Sequence, residues 1–149
     1  MKIAIGSDHA GFELKEYIKQ LLAGGDYDIT DYGTHSPQSV DYPDYGFKVA
    51  QVVASGDADR GILVCGTGIG VSIVANKVKG VRAALAFDIY TAVQSRAHLD
   101  ANILVLAERV TGKGLAEEIV RSWLSAEFEG GRHSSRIAKI EAFEKNRDR

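Results

Sequence analysis

Short apolar runs alternate with stretches of helical periodicity along the whole chain. Five runs predict strands, of which the second is weaker and more polar, and each ends at a glycine or a polar residue. The runs are KIAIGS (2–7), YDITDYG (27–33), RGILVCG (60–66), VRAALAFD (81–88) and ANILVLAE (101–108). RGILVCG is apolar on both faces, which is typical of a central strand in a parallel sheet.

Between these runs, apolar residues recur at the i, i+3 and i+4 spacing of amphipathic helices. The spacing predicts helices near residues 14–22, 45–53, 70–78, 89–98 and 115–124, and a final charged helix after Gly130-Gly131. Strand and helix therefore alternate five times. This order predicts an α/β fold: a doubly wound, Rossmann-like five-stranded parallel sheet flanked by helices, with an extra C-terminal helix. We expect one domain over residues 1–149.

Composition and charge exclude several classes of protein. The net charge is −2 and the pI about 6.1, so no overall field favours nucleic acid. Residues 130–149 carry six Lys and Arg against three Asp and Glu, a local excess that suits a small anion. A single cysteine excludes an internal disulfide. We expect a cytoplasmic protein, since the chain has neither a signal-peptide pattern nor an apolar run of membrane-spanning length.

Polar residues with chemical potential follow the first and third predicted strands. Asp8 and His9 come directly after KIAIGS, and Cys65 comes just before the glycine that ends the third run. The carboxyl ends of parallel strands meet at one edge of a sheet, where α/β proteins bind ligands. Asp8 is also a residue type that caps helices, so a purely structural role for it stays open.

A glycine-rich loop follows the third strand. Its glycines, Gly66, Gly68 and Gly70, alternate, whereas a dinucleotide fingerprint would need a glycine where the chain has Val71. The loop also lacks the Gly-Lys-Ser/Thr of a nucleotide-binding P-loop. Two interpretations remain: a tight strand-to-helix turn without a ligand, or a turn whose free N–H groups bind an anion.

Cys65 has two interpretations of its own. A lone cysteine is often a small buried apolar residue. A thiol at the start of a helix can instead ionise, remove a proton and have the resulting oxyanion held by nearby N–H groups. The hydroxyl of Thr67 could then pass protons between adjacent oxygens. His98, near the end of a predicted helix, is compatible with a capping role or a chemical one.

A basic cluster begins the last predicted helix. Arg132 and Arg136 are four residues apart, hence on one helical face, with His133 beside them. Two guanidiniums one turn apart can clamp a phosphate, and Arg109 could join them. A solvated basic face is the alternative.

Several motifs together resemble those of the type B ribose-5-phosphate isomerases, in the ribose/galactose isomerase family. In chain order they are GSDHAG, DYPDY, ILVCGTGIGVSIVANK, SRAH and EGGRHSSR, and they cover essentially the whole chain. The resemblance implies interconversion of D-ribose 5-phosphate and D-ribulose 5-phosphate through an enediolate, in the pentose phosphate pathway, with no metal and no organic cofactor.

The resemblance also implies a role for each matching residue. Cys65 would be the carbon base, Thr67 would relay the hydroxyl proton, and His98 would open the sugar ring. Asp8 and His9 would contact the sugar and its phosphate end. The remaining matches are the oxyanion-binding N–H groups of Gly66, Thr67, Gly68, Ile69 and Gly70, and the phosphate ligands Arg109, Arg132 and Arg136. The implied assembly is a homodimer, or a dimer of dimers, whose shared sites place His98 and the arginines opposite a partner's Cys65.

Two positions qualify the match. One branch of the family uses a loop glutamate as base, and the corresponding residue here is Val71, which leaves Cys65 as the candidate base in the loop. Relatives commonly have asparagine after the ring-opening histidine, where this chain has Leu99, so one polar contact with the sugar is lost. Isomerisation of a six-carbon sugar phosphate, such as allose or galactose 6-phosphate, is therefore an alternative. A non-catalytic phosphate-binding module is a more distant one.

Overall fold

In a computed structural model that describes residues 1–147, all five predicted apolar runs contribute strands to one sheet. Every neighbouring pair of strands is parallel. The strands are β1 (Lys2–Ser7), β2 (Asp28–Asp31), β3 (Arg60–Cys65), β4 (Ala83–Leu85) and β5 (Ile103–Ala107). Their order across the sheet is β2-β1-β3-β5-β4, so the most apolar run lies at the centre, as predicted.

Six α-helices surround the sheet. They are α1 (Phe12–Leu22), α2 (Tyr42–Ser55), α3 (Ile69–Ala75), α4 (Ile89–Leu99), α5 (Lys113–Ser125) and α6 (Arg132–Arg147), and a 3-10 turn (His9–Gly11) precedes α1. The expected doubly wound α/β class and the extra C-terminal helix are both confirmed. The predicted domain and the basic C-terminal segment also include residues 148 and 149, which lie outside the described residues.

The side chains of β3 alternate between two cores, as a strand covered on both faces requires. Ile62 and Val64 pack with residues of α1, α4 and α5, whereas Leu63 and Cys65 pack with residues of α2 and α3. Cys65 is therefore the last inward-facing residue of the central strand, on the α2/α3 side. This position puts its sulfur at the carboxyl edge of the sheet.

The edge strand β4 is shorter than the predicted run 81–88. Before it, the N–H of Arg82 bonds to the side-chain oxygen of Asn102 at 2.8 Å. After it, Asp88 caps α4 by accepting the N–H of Thr91 at 2.7 Å. The backbone bonds to the β5 side continue one residue past each end, because the N–H of Ala86 donates to the carbonyl of Val105 and the carbonyl of Arg82 accepts the N–H of Asn102. The third helix likewise ends at Ala75 rather than at the predicted residue 78.

Helix α4 carries the chain from one edge of the sheet to the other. It begins after β4 at the carboxyl edge and returns to the amino edge, where the carbonyl of Leu99 accepts a 2.9 Å hydrogen bond from Nε of Arg82, the residue just before β4. His98, in the last turn of α4, therefore lies at the edge opposite Cys65 within one chain.

Candidate active site

A cleft of about 270 Å³ opens at the carboxyl edge, between the ends of β1 and β3. Seven residues predicted from the sequence line it, namely Asp8, His9, Cys65, Gly66, Thr67, Gly70 and Arg109, together with Ala10 and Tyr42. The expectation that polar residues after the first and third strands meet at one edge is confirmed. The cleft therefore lies at the carboxyl edge of the sheet, and the glycine loop forms part of its wall.

Cys65 is fixed by bonds to its sulfur and to its main chain. Its carbonyl accepts the N–H of Glu108 at 2.9 Å, and its Sγ accepts the N–H of Gly68 at 3.1 Å. The residue is only 6% exposed, yet it lines the cleft. Since an N–H that points at sulfur stabilises negative charge there, this contact suits a thiol that acts as a thiolate.

Gly68 allows the loop to turn so tightly. Its φ is +75°, in the left-handed region, and it caps the N-terminus of α3. A Cβ at this position would collide with the side chain of Leu85 and lie 3.3 Å from the carbonyl oxygen of Leu106. Any other residue would therefore need a strained left-handed backbone and a shift of the Leu85 side chain.

The N–H groups of the loop divide into two sets. Those of Gly68 and Ile69 are already donated within the loop, to Cys65 Sγ and to Thr67 Oγ1 at 3.3 Å. Those of Gly66, Thr67 and Gly70 have no acceptor within residues 1–147. Three of the five expected anion donors are therefore available. They lie beside a sulfur whose removal of a substrate proton would create an oxyanion that such donors stabilise.

Asp8 and His9 combine structural bonds with positions on the cleft. Asp8 Oδ1 accepts the N–H of Gly11 at 3.1 Å, so the capping role left open by the sequence is present. His9 Nδ1 accepts the N–H of Val40 at 3.1 Å. A ring nitrogen that accepts carries no proton, so Nε2 of the neutral imidazole is the donor that remains for a ligand.

Arg109 lies against the glycine loop of its own chain. Its N–H donates to the carbonyl of Gly66 at 3.0 Å, and its Cδ and Cζ would be 3.3 and 3.4 Å from a Cβ on Gly66. The family resemblance implied that all three arginines face a partner's Cys65. The structure differs for Arg109, because the loop after β5 is hydrogen-bonded directly to the loop after β3 within the same chain.

Tyr42 is a cleft residue to which the sequence assigned no role. A Cβ on Gly70 would lie 2.8 Å from the Tyr42 ring, so the aromatic ring packs directly on the glycine loop. The signal was present, because Tyr42 belongs to the DYPDY motif. Nothing in the local pattern, however, indicated that the start of α2 reaches the end of β3.

His98 forms a second cluster with residues at the start of α6. Its ring stacks on that of His133, with centroids 4.1 Å apart and planes 13° from parallel. Oε2 of Glu129 lies 3.7 Å from His98 Nε2 and 3.6 Å from His133 Nε2. Arg132 is exposed beside these rings. The structure therefore does not bring His98 to the cleft of its own chain.

Burial and positive neighbours act together on His133 in this second cluster. Burial and then the neighbouring His98 and Arg132 hold the pKa of His133 below its ordinary value, although Glu129 acts in the opposite direction. Arg136 lowers the same pKa and is itself exposed. Within residues 1–147, neither Arg132 nor Arg136 forms an ion pair, so both guanidiniums are free to bind an anion.

The same histidines and Glu129 are the only described residues whose side chains could share a metal ion. Their ligand atoms lie within 4.8 Å of one another. In two nearly parallel rings, however, the nitrogen lone pairs point side by side rather than toward a common point. A bound ion would require one ring to turn out of the stack.

Comparison with known proteins shows which family of enzymes has this fold. Residues 3–140 match the family model described as Ribose/Galactose Isomerase. Ribose-5-phosphate isomerase B of Escherichia coli (strain K12) is 48% identical over 147 residues, 99% of each chain. The chain therefore belongs to the ribose/galactose isomerase family and is a sugar phosphate isomerase of the aldose–ketose type.

Solved structures agree along nearly the full length. Ribose-5-phosphate isomerase B of Clostridium thermocellum is 57% identical with a TM-score of 0.96, covering 98% of this chain and 99% of that one. The Mycoplasma genitalium enzyme of the same name, with bound ribulose 5-phosphate, is 45% identical with a TM-score of 0.93, covering 97% and 96%. Among the described helices, none has the length and apolar character needed to cross a membrane.

Proposed function

We propose that the protein interconverts D-ribose 5-phosphate and D-ribulose 5-phosphate through an enediolate, with Cys65 as the carbon base. One observation carries the proposal: the Cys65 sulfur lines a cleft beside three N–H groups that have no acceptor in the described chain. A base next to unused donors is the arrangement that proton abstraction beside a carbonyl requires. The names of the E. coli and C. thermocellum relatives support the choice of sugar.

The chemistry follows from these groups. The Cys65 thiolate takes the proton from carbon 2 of the open aldose, and the electron pair moves to the carbonyl oxygen on carbon 1. The free N–H groups of Gly66, Thr67 and Gly70 stabilise that oxyanion. Thr67, exposed at the mouth of the loop, passes the proton of the oxygen on carbon 2 to the oxygen on carbon 1. Cys65 then returns its proton to carbon 1, which completes the ketose.

Ring opening and part of the phosphate binding require a second copy of the chain. His98 and the exposed Arg132 and Arg136 belong to a cluster at the amino edge, whereas Cys65 is at the carboxyl edge. In a homodimer with shared sites, His98 of one chain opens the furanose at the other chain's Cys65. Arg132 and Arg136 would then join Arg109 and His9 Nε2 around the phosphate, where guanidinium forks suit its oxygens.

An exposed apolar surface supports this dimer. It flanks the short edge strand β4, and its side chains are Ile69, Ile73, Leu99, Ile140 and Phe143, which are between 47% and 71% exposed. A cavity of about 390 Å³, lined in part by Val81, Leu99 and Ile140, lies within it. Apolar side chains on three separate helices are costly to leave in water and typical of an interface. A cytoplasmic location and a place in the pentose phosphate pathway complete the proposal.

A six-carbon sugar phosphate is the alternative substrate. The family description includes galactose as well as ribose, and Leu99 stands where relatives commonly have an asparagine. Leu99 is 48% exposed, next to His98, and presents no hydrogen-bonding group to a sugar hydroxyl. An apolar contact at this point would tolerate an additional carbon more readily than a hydrogen-bonding one.

The deciding experiment compares kcat/KM for ribose 5-phosphate, allose 6-phosphate and galactose 6-phosphate. We expect the highest value for ribose 5-phosphate. A higher value for either hexose phosphate would replace the proposed substrate but keep the chemistry. Binding of all three without any exchange of substrate protons into deuterated water would contradict the proposed enzyme chemistry altogether.

A further inference from the structure

Glu129 is the charged residue of the EGGRH motif that the proposed function leaves without a role. It lies in the segment between α5 and α6, and its carboxylate is within 4 Å of both stacked imidazoles. Among residues 1–147 it is the only carboxylate that close to either ring. The position is therefore specific to these two histidines.

The backbone holds Glu129 against the helix that carries His98. Its N–H donates to the carbonyl of Ala97 at 3.0 Å, one residue before His98. The N–H of His133 donates to the carbonyl of Gly130 at 3.1 Å, which fixes the other ring to the same segment. These two bonds hold Glu129 and His133 in one segment and attach that segment to the helix that carries His98.

The surroundings explain why a carboxylate is needed. His98 is stacked on His133, whose ring is also next to the positive guanidiniums of Arg132 and Arg136. A proton gained by His98 during ring opening adds a positive charge. Glu129 is the only described group in this cluster that offsets it, much as the aspartate of a hydrolase triad stabilises and orients its imidazolium.

We propose that Glu129 is a positioning residue that orients His98 and stabilises its protonated ring during opening of the sugar furanose. The inference rests on the proposed function of His98. It assigns Glu129 no contact with the substrate, because its carboxylate is directed at the two rings. Its influence on the reaction must therefore pass through His98.

The first test is Glu129→Gln, which keeps the shape and removes the charge. We expect kcat for ribose 5-phosphate to fall roughly tenfold, a fraction of a full acid–base contribution, with KM nearly unchanged. Glu127→Gln is the matched control, because Glu127 is exposed in the same segment and has no hydrogen-bond or ion-pair partner among residues 1–147. Equal kcat values for the two variants would overturn the proposal.

The second test asks whether Glu129 acts through His98. In a double-mutant cycle, Glu129→Gln should cause no further loss of kcat once His98→Gln is present. Additive losses would show that Glu129 acts elsewhere and would overturn the proposal. The NMR signals of the His98 ring protons should also move in Glu129→Gln, since the stacked ring is then less constrained; unmoved signals would contradict the positioning role.

Failure of the inference can be distinguished from failure of the proposed function. If His98→Gln retains full activity, ring opening by His98 is wrong, and Glu129 has nothing to position. If His98→Gln loses activity while Glu129→Gln does not, the proposed function stands and only the role of Glu129 is wrong.

Discussion

The N–H of Gly68 donates a 3.1 Å hydrogen bond to Sγ of Cys65, three residues back along the same loop. One tight turn therefore contains the proposed base, a donor that stabilises its charge and three further N–H groups without acceptors among residues 1–147. The bond depends on a left-handed backbone at Gly68, with φ of +75°. Loop geometry and chemistry are consequently linked at this residue pair.

Cys65→Ala should abolish isomerisation without unfolding the protein. Loss of a general base costs roughly 10²–10⁴ in rate, whereas a small buried side chain contributes about 1 kcal/mol to stability. The measurements are kcat for ribose 5-phosphate and the thermal unfolding midpoint. Cys65→Ser is the matched variant, because it keeps the shape but lacks an acidic thiol, and it should be equally impaired. Turnover near the wild-type rate in either variant would contradict the mechanism.

Gly68→Ala should impair both the fold and the activity. An alanine here has an unfavourable backbone and collides with Leu85, so we expect a loss clearly larger than the ~1 kcal/mol of left-handed strain alone. Gly80→Ala is the control, since Gly80 has φ of +82° but nothing within 4 Å of an added Cβ. Chemical denaturation and kcat should separate the two variants. Similar effects of both would mean that the loop tolerates the displaced backbone.

His98→Gln should separate ring opening from carbon chemistry. Ribose 5-phosphate is mainly a furanose, whereas ribulose 5-phosphate is open because its terminal hydroxyl is esterified. We expect aldose isomerisation to fall roughly hundredfold, while exchange of the carbon 1 proton of ribulose 5-phosphate into deuterated water continues near the wild-type rate. His35→Gln, at an exposed turn, should change neither rate. Equal losses of both rates in His98→Gln would place His98 in the carbon chemistry instead.

The sequence pattern predicted the sheet and one half of the proposed site, the cleft with Cys65 and the glycine loop. The runs that became β3 and β5 are continuously apolar because both faces are buried, and so they could be recognised directly. The edge strand β4 has only three residues, and the N–H of Arg82 just before it bonds to the side chain of Asn102, which is 20 residues further along the chain. Contacts of this kind are tertiary, and no local pattern contains them.

The local sequence pattern likewise did not predict that His98 and Cys65 lie at opposite edges of the sheet. This separation follows from the direction of α4, which can be read only once the strands are placed in space. Glu129 illustrates the same limit. It is 31 residues from His98 along the chain. The two side chains are close in space because α5 returns the chain to the amino edge, where the N–H of Glu129 bonds to the carbonyl of Ala97.

Acid should destabilise the protein partly through Asp31. Burial would raise the pKa of Asp31, but hydrogen bonds from Lys15, Lys19 and the N–H of Gly33 outweigh it and hold the pKa below its ordinary value. A depressed folded-state pKa gives stability that is complete above the unfolded value of about 3.9 and is lost as pH falls through the folded value. Thermal unfolding midpoints measured from pH 6 downward should show this loss.

Asp31→Asn should remove that part of the acid sensitivity and destabilise the protein at neutral pH. The Lys15 side chain is fully buried, with its Nζ 2.6 and 2.8 Å from the two Asp31 oxygens. Without the Asp31 charge, the Lys15 ammonium keeps Glu16, 3.1 Å away, as its carboxylate partner among residues 1–147. We therefore expect a loss of up to about 3 kcal/mol, the lower end of what breaking a buried ion pair costs. Asp26→Asn, at an exposed position, is the control and should behave like the wild type. An Asp31→Asn variant with the full wild-type pH dependence would contradict this account.

Hybrid dimers test the shared site most directly. Chains carrying Cys65→Ala and chains carrying His98→Gln are co-expressed with different tags, and the mixed dimers are purified. Each parent homodimer should isomerise ribose 5-phosphate only weakly. Because a two-fold dimer would combine the intact Cys65 of one chain with the intact His98 of the other, the hybrid should recover about half of the wild-type activity. A hybrid no more active than its parents would contradict a site built from both chains.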